Sequence, residues 1–304
     1  MLATIAIGEQ YLQPFMKYAY HTWEMYCHRH DLGLILFDED LISPDHPKWK
    51  KATWQKYLIA EVVSNSKLKV ENVCYLDTDI LISPLAPNIF DHHKKGRVSL
   101  VSQWYNLPYE RQFIARRIAF LRNRFLSSDY PLDSLLFASI DQFYNFSSLP
   151  AQTDYACAGL FVFNAQEFSR PMSNFFHSYD TAVLTPSAGG DQLHFNYFVQ
   201  SNAYDQWLPY EFQALWIFEV PIKYPFLFSS KKISDEQIRQ CIEASLFSNY
   251  FLHFAGSWNE SMMWKQVKVF ESPDSLEMFK AFDEYMRVPV YGKPLGTIKP
   301  KEIS

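Results

Sequence analysis

Asp77 and Asp79 carry the most pointed chemistry in this sequence. They sit inside Val73-Cys74-Tyr75-Leu76-Asp77-Thr78-Asp79-Ile80-Leu81-Ile82. In an extended chain, residues two apart project to the same side, so both carboxylates can aim at one point. Two converging carboxylates repel unless a cation stands between them. Hard oxygen donors suit Mg²⁺ or Mn²⁺, with water and phosphate oxygens completing the shell. The plain alternative is a strand followed by a turn, with both groups solvated, and a bare pair does not decide between the two.

Other places hold groups of chemical interest. Trp54-Gln55-Lys56 puts a mobile point charge on a helix, with a solvated lysine as the plain alternative. Cys157-Ala158-Gly159-Leu160-Phe161-Val162-Phe163-Asn164 reads as a buried strand whose small leading residues let a ligand approach the backbone closely. Gly189-Gly190-Asp191-Gln192 reads as a helix start with Asp191 in the first turn, which a cap alone would explain. His253 stands in the apolar run Tyr250-Phe251-Leu252-His253-Phe254, where a histidine is more often a satisfied core residue than a ligand.

The elements that must position these groups follow from periodicity. Val73 to Leu76 is apolar without alternation, the pattern of a parallel-sheet strand buried on both faces. In an open α/β sheet, ligands bind in the crevice at the carboxyl ends of such strands. Leu2 to Ile7 reads as a first strand broken by Gly8, Tyr11 to His28 as a helix, and Leu32 to Phe37 as a second strand, which predicts a parallel, doubly wound beginning. A helix over Ala52 to Asn65 delivers the chain to the carboxylate strand, and Val98 to Ser102 reads as another strand. Residues 108–149 form a helical insertion, in which Arg111, Arg116, Arg117, Arg122 and Arg124 interleave with Phe113, Ile114, Ile118, Phe120, Leu121 and Phe125. Such a basic face is usually just solvated, but it could meet an anionic acceptor, a membrane surface or a partner subunit. Residues 1–290 are expected to form one domain, with 291–304 a loosely held tail rich in glycine and proline.

The order of these stretches from Tyr75 to Gly256 is D-x-D, small-residue strand, G-D-Q and then H-F-x-G. It resembles that of retaining GT-A glycosyltransferases of the glycogenin and bacterial galactosyltransferase type. The resemblance implies a Rossmann-like α/β fold with a mixed sheet flanked by helices. It also implies transfer of a hexose from a UDP-sugar to an acceptor hydroxyl, with Mn²⁺ or Mg²⁺ bound by Asp77, Asp79 and His253. By the same resemblance, Ala6, Ile7, Tyr11, Lys56, Asp77, Thr78, Asp79 and Gly256 would bind the donor and its metal, with Tyr11 against the uracil. Asp191 and Gln192 would be the catalytic pair, holding the sugar and its anomeric carbon. The acceptor would be a carbohydrate, a lipid-linked molecule or a protein.

The sequence departs from the family pattern at Cys157, where an asparagine is usual, and Asp154 is a candidate substitute. In Trp207-Leu208-Pro209-Tyr210-Glu211-Phe212-Gln213, which resembles the family's L-P-x-x-x-N strand, Gln213 takes the asparagine position. Asn259 stands near the family's phosphate-binding lysine, for which Lys265 is a candidate substitute. These departures leave open a nucleotide-sugar hydrolase, a nucleotidyltransferase or a non-catalytic nucleotide-sugar-binding relative.

The totals narrow the partners. A chain of 304 residues with net charge -5 gives no support to a nucleic-acid partner. Cys27, Cys74, Cys157 and Cys241 are widely spaced without a C-x-x-C pair, and buried reduced thiols are expected. No leader pattern and no apolar run of about 20 residues is present, so no transmembrane segment is expected and the cytoplasm is the default location. Peripheral membrane contact would then fall to the basic insertion.

Overall fold

A computed structural model of the chain describes residues 1–125, 137–180, 190–228, 233–255 and 267–287. Gly189, Gly256, Asn259, Lys265, the 291–304 tail and the middle of the 108–149 insertion lie outside the described residues.

A six-stranded sheet runs in the order β2-β1-β3-β6-β5-β7. Its strands are β1 (Leu2–Ile5), β2 (Leu34–Phe37), β3 (Asn72–Leu76), β5 (Val98–Val101), β6 (Leu160–Asn164) and β7 (Asp205–Leu208). β1 pairs in parallel with β2 and β3, and β5 with β7, while β6 runs antiparallel between β3 and β5. The sheet is therefore mixed. The carboxyl ends of β1, β2, β3, β5 and β7 share one edge with the start of β6.

Alternation sorts the strand residues onto two apolar layers. Leu2, Cys74, Leu76, Leu160 and Val162 join one core cluster, and Ala3, Val73, Tyr75, Phe161 and Phe163 the other. Both faces are covered, which is why β3 reads as unbroken apolar sequence. Complete burial of Val73 and Leu76 contributes roughly 1.5–3 kcal/mol each.

Helices α1 (Glu9–Pro14) and α2 (Tyr20–His30) are joined by a π-helical turn over Phe15–Ala19. Gly8 takes φ 91°, which an L side chain rarely adopts, and so ends the β1 segment cleanly. The expected 52–65 helix is α3 (Ala52–Gln55), a 3-10 turn over Lys56–Leu58 and α4 (Ile59–Asn65). The insertion supplies α5 (Arg111–Phe125) and α6 (Ile140–Phe146). Further along come α7 (Ala165–Ser178), α8 (Gln192–Ser201), α9 (Trp216–Lys223), α10 (Asp235–Ser248) and α11 (Pro273–Arg287). Helices α4, α7 and α8 contribute to one layer, α2 and α10 to the other.

The stretch Val73–Ile82 is not one strand. It leaves the main sheet after Leu76 and enters a three-stranded sheet, β4 (Ile80–Ile82), β9 (Phe251–His253) and β8 (Ala214–Leu215), in the order β4-β9-β8. The L-P-x-x-x-N stretch is likewise no single strand. Pro209 cannot donate to a ladder, so β7 stops at Leu208 and a 3-10 turn over Tyr210–Gln213 leads into β8. All four cysteines are free and buried, as expected.

Candidate metal and donor site

The corner between the two sheets is built by register. β4 runs antiparallel to β9 with Ile80 opposite His253, which sets His253 beside the turn Asp77-Thr78-Asp79. The Asp77 amide donates to the Gly159 carbonyl at 2.8 Å, and the Phe254 amide to the Asp79 carbonyl at 3.0 Å. From α2, Trp23 Nε1 donates to the Ile80 carbonyl at 2.7 Å, and Thr22 Oγ1 accepts the Ile82 amide at 3.1 Å. These bonds tie the turn to β9, to α2 and to the start of β6.

Asp77, Asp79 and His253 can each offer one ligand atom, all within 4.8 Å of one another. His253 Nε2 lies 3.1 Å from Asp79 Oδ1 and 3.8 Å from Asp77 Oδ2. Asp79 Oδ1 is buried and accepts no hydrogen bond. The other ring nitrogen has a partner of its own. One orientation of the Gln213 amide satisfies its surroundings: its oxygen takes the His253 Nδ1 hydrogen at 3.1 Å and the Leu160 amide at 3.0 Å, while its nitrogen donates to the Cys157 carbonyl at 3.2 Å. A neutral ring with its hydrogen on Nδ1 presents the Nε2 lone pair to the carboxylate oxygens. That is a ligand set rather than a hydrogen-bonded one. A metal at this point fits the residues present.

Without a metal, the electrostatics favour a proton at this point. Burial disfavours charge on His253, but Cys157 and Asp79 outweigh it and hold the imidazole pKa well above its ordinary value. The corner favours positive charge, which either a proton or a cation can supply. Tyr75 donates to Asp77 Oδ1 at 2.7 Å, and its phenol is pushed far up, by burial first and by Asp77 second, so it stays a donor. At Gly159 a Cβ would fall 2.6 Å from Asp77 Oδ2 and 3.0 Å from His253 Nε2. Only a bare backbone fits between the ligands.

A second group sits on the other side of the Cys157–Gly159 segment. Asp191, 6% exposed at the start of α8, pairs with Lys56 at 2.8 Å and accepts a hydrogen bond from Tyr57. Burial works against the Lys56 charge, but Asp191 and Asp77 outweigh it and raise its pKa. Lys56 also donates to the Ala158 carbonyl at 2.7 Å and is 3% exposed, so it does not stand as a free arm over the crevice. Gln192 donates to the Tyr155 hydroxyl at 2.7 Å and accepts the Ala158 amide at 3.3 Å. Asp154 accepts hydrogen bonds from Ser102 and from the Tyr155 amide, each at 2.7 Å. Ala6 is buried, Ile7 and Thr78 are half-buried, and Tyr11 lies exposed on α1.

The structure thus brings together Asp77, Asp79 and His253, and links them through the 157–159 backbone to Lys56, Asp191 and Gln192. Tyr57 and Tyr75 were not singled out as site residues. Alternation already sets Tyr75 on the side of Asp77, whereas nothing local marks Tyr57.

No protein-family model matches the chain, and no curated protein matches it. Among solved structures it is similar to a glycosyltransferase involved in glycosylation of the major capsid of PBCV-1 (TM-score 0.49, 8% identity, covering 88% of this chain and 99% of that one). It is also similar to the galactosyltransferase LgtC with donor and acceptor sugar analogues (TM-score 0.47, 11% identity, covering 94% and 96%). A third likeness is to the bifunctional glycosyltransferase WbbM (TM-score 0.43, 14% identity), where 92% of this chain matches 51% of that one. These likenesses are distant, and the functional reading rests on the side chains described above.

Proposed function

We propose that the chain is a metal-dependent glycosyltransferase that moves a hexose from a UDP-sugar to an acceptor hydroxyl, with retention of anomeric configuration. The observation that supports it most is the convergence of Asp77, Asp79 and His253, with ligand atoms within 4.8 Å of one another and His253 Nε2 3.1 Å from Asp79 Oδ1. Two carboxylates with one imidazole nitrogen suit Mn²⁺ better than Mg²⁺. A divalent cation on Asp77, Asp79 and His253 supplies Lewis-acid stabilisation to a departing diphosphate.

The chain's own groups do the rest. Gly159 leaves room for the ligand at the backbone. Lys56 and Tyr57 fix the Asp191 carboxylate, so that its position is set before a sugar arrives. Gln192 is an amide and cannot act as a base on the acceptor. Asp154, one candidate base, is 7% exposed and already takes two hydrogen bonds on one oxygen. Inversion requires a general base opposite the leaving group. The residues around Asp191 favour the alternative, entry of the acceptor on the leaving-group face. A cleft of about 370 Å³ on the same edge of the sheet, lined by Asn106, Leu107, Trp207, Pro209 and Glu211, offers a ring and an amide to a carbohydrate acceptor, and Glu211 is the carboxylate that an inverted product would point to as base. The reading assigns the reaction to the cytoplasm, with access to nucleotide-sugar pools.

Mass-spectrometric turnover of a UDP-sugar panel with and without Mn²⁺, with NMR of the product's anomeric proton, tests this reading. A glycosylated acceptor of retained configuration, formed only with metal, is expected. Free sugar with UDP, a sugar phosphate, or an inverted product would each overturn a stated part of it.

A further inference from the structure

From the exposed face of α5 we infer that the chain docks on anionic membrane surfaces through this helix. Among the described residues seven aromatic side chains are exposed, and five of them, Tyr105, Phe113, Phe120, Phe137 and Phe146, lie in or beside the insertion. Two of these, Phe113 and Phe120, are spaced seven apart on α5, one face of a helix, and are 53% and 52% exposed. Arg116 is exposed between them, and Arg117 sits over the Phe120 ring. The buried face is accounted for: Ile114, Ala115 and Ile118 pack on Leu215, Ile217 and Phe218, and Arg117 donates to the Pro221 carbonyl. The outward phenylalanines are therefore not needed by the core.

Charge selects the occupant. α5 carries five arginines and no carboxylate, in a chain of net charge -5. Exposed phenylalanines beside arginines match a surface with acyl chains beneath anionic headgroups. Symmetric pairing of two copies through this face would bring Arg116 against its own counterpart. Location adds a purpose. The α5 cluster includes Leu215, which is paired with His253, and Ala255 packs against it, so the metal corner lies behind α5, one helix away from the bilayer.

The test is flotation of the full chain with vesicles of phosphatidylcholine alone or mixed with phosphatidylglycerol. No donor or metal is present, so the outcome is separate from that of the proposed reaction. Binding only to the anionic vesicles, weakened by salt, is expected. The double variant Phe113→Ser/Phe120→Ser, and separately Arg116→Glu, should each lower partitioning roughly tenfold with unchanged melting temperature. Binding that ignores headgroup charge, or that survives both variants, overturns the proposal. So does light scattering that shows a wild-type dimer lost in the phenylalanine variant, since the face would then belong to a second copy.

Discussion

The Gln213 amide oxygen accepts the Nδ1 hydrogen of His253 at 3.1 Å, which leaves Nε2 as the nitrogen that faces Asp77 and Asp79. Gln213 is fully buried and its remaining hydrogen bonds go to the backbone of Cys157 and Leu160, so it cannot swing away. Outer partners of this kind typically account for about 10–100-fold in metal affinity. Gln213→Leu should weaken Mn²⁺ binding by that factor in calorimetry, and imidazole ¹⁵N shifts should report a mixed tautomer. Unchanged affinity would show that the ring is oriented by other contacts.

Gly159 makes a sharper test of the same corner. Its missing Cβ would fall within 3.0 Å of both Asp77 Oδ2 and His253 Nε2. Gly159→Ala should abolish the metal-dependent rise in melting temperature produced by UDP, which for the unaltered chain is about 2.7 kcal/mol of stabilisation at a hundredfold excess over Kd. An alanine variant that keeps the full shift would mean that the ligands do not meet at this point.

Much of this was legible in the sequence, for identifiable reasons. Val73 to Leu76 announces a doubly covered strand because both of its faces are buried. The spacing of Asp77 and Asp79 points to one shared ligand, but the two come together through the turn between the sheets and not through strand alternation. The change of sheet between Leu76 and Ile80 was not legible, because apolar residues suit either sheet and no glycine or proline marks the turn. The π-helical turn at Phe15–Ala19 was hidden too, since Phe15, Ala19 and Trp23 stand at ordinary helical spacing and nothing local marks the widened turn. The partner of Lys56 was also beyond reach, since the Lys56–Asp191 pair depends on how α8 packs over the 3-10 turn.

Lys50 provides a prediction away from the site. It is 2% exposed, donates to the Phe176 carbonyl at 2.8 Å and lies 3.9 Å from the Phe176 ring centroid. Burial, helped by Lys48, lowers its pKa to about 8. Between that value and the unfolded value of about 10.4 the unfolded chain holds more protons, so stability rises with pH across this window. Lys50→Met should therefore stabilise the protein by about 1–2 kcal/mol near pH 7, with the advantage shrinking near pH 10. Urea unfolding at the two pH values measures it; an equal effect at both would mean that the amine's charge is not the cost.

Asp191 has a structural burden as well as a proposed catalytic one. Its carboxylate is the ion-pair partner of Lys56 and the acceptor for Tyr57, both buried. Removing it leaves an unpaired ammonium in the core. Breaking one side of a buried pair typically costs about 3–5 kcal/mol. Asp191→Ala should lose stability on that scale, so a fall in its turnover cannot by itself be assigned to sugar binding. The double variant Lys56→Met/Asp191→Ala removes the stranded charge, and the two changes should couple by about 1–3 kcal/mol in a double-mutant cycle. If that double variant refolds, binds UDP with Mn²⁺ and still turns over poorly, the loss belongs to the chemistry. If it regains turnover along with stability, Asp191 acts only to hold Lys56, and its assignment to the reacting sugar falls.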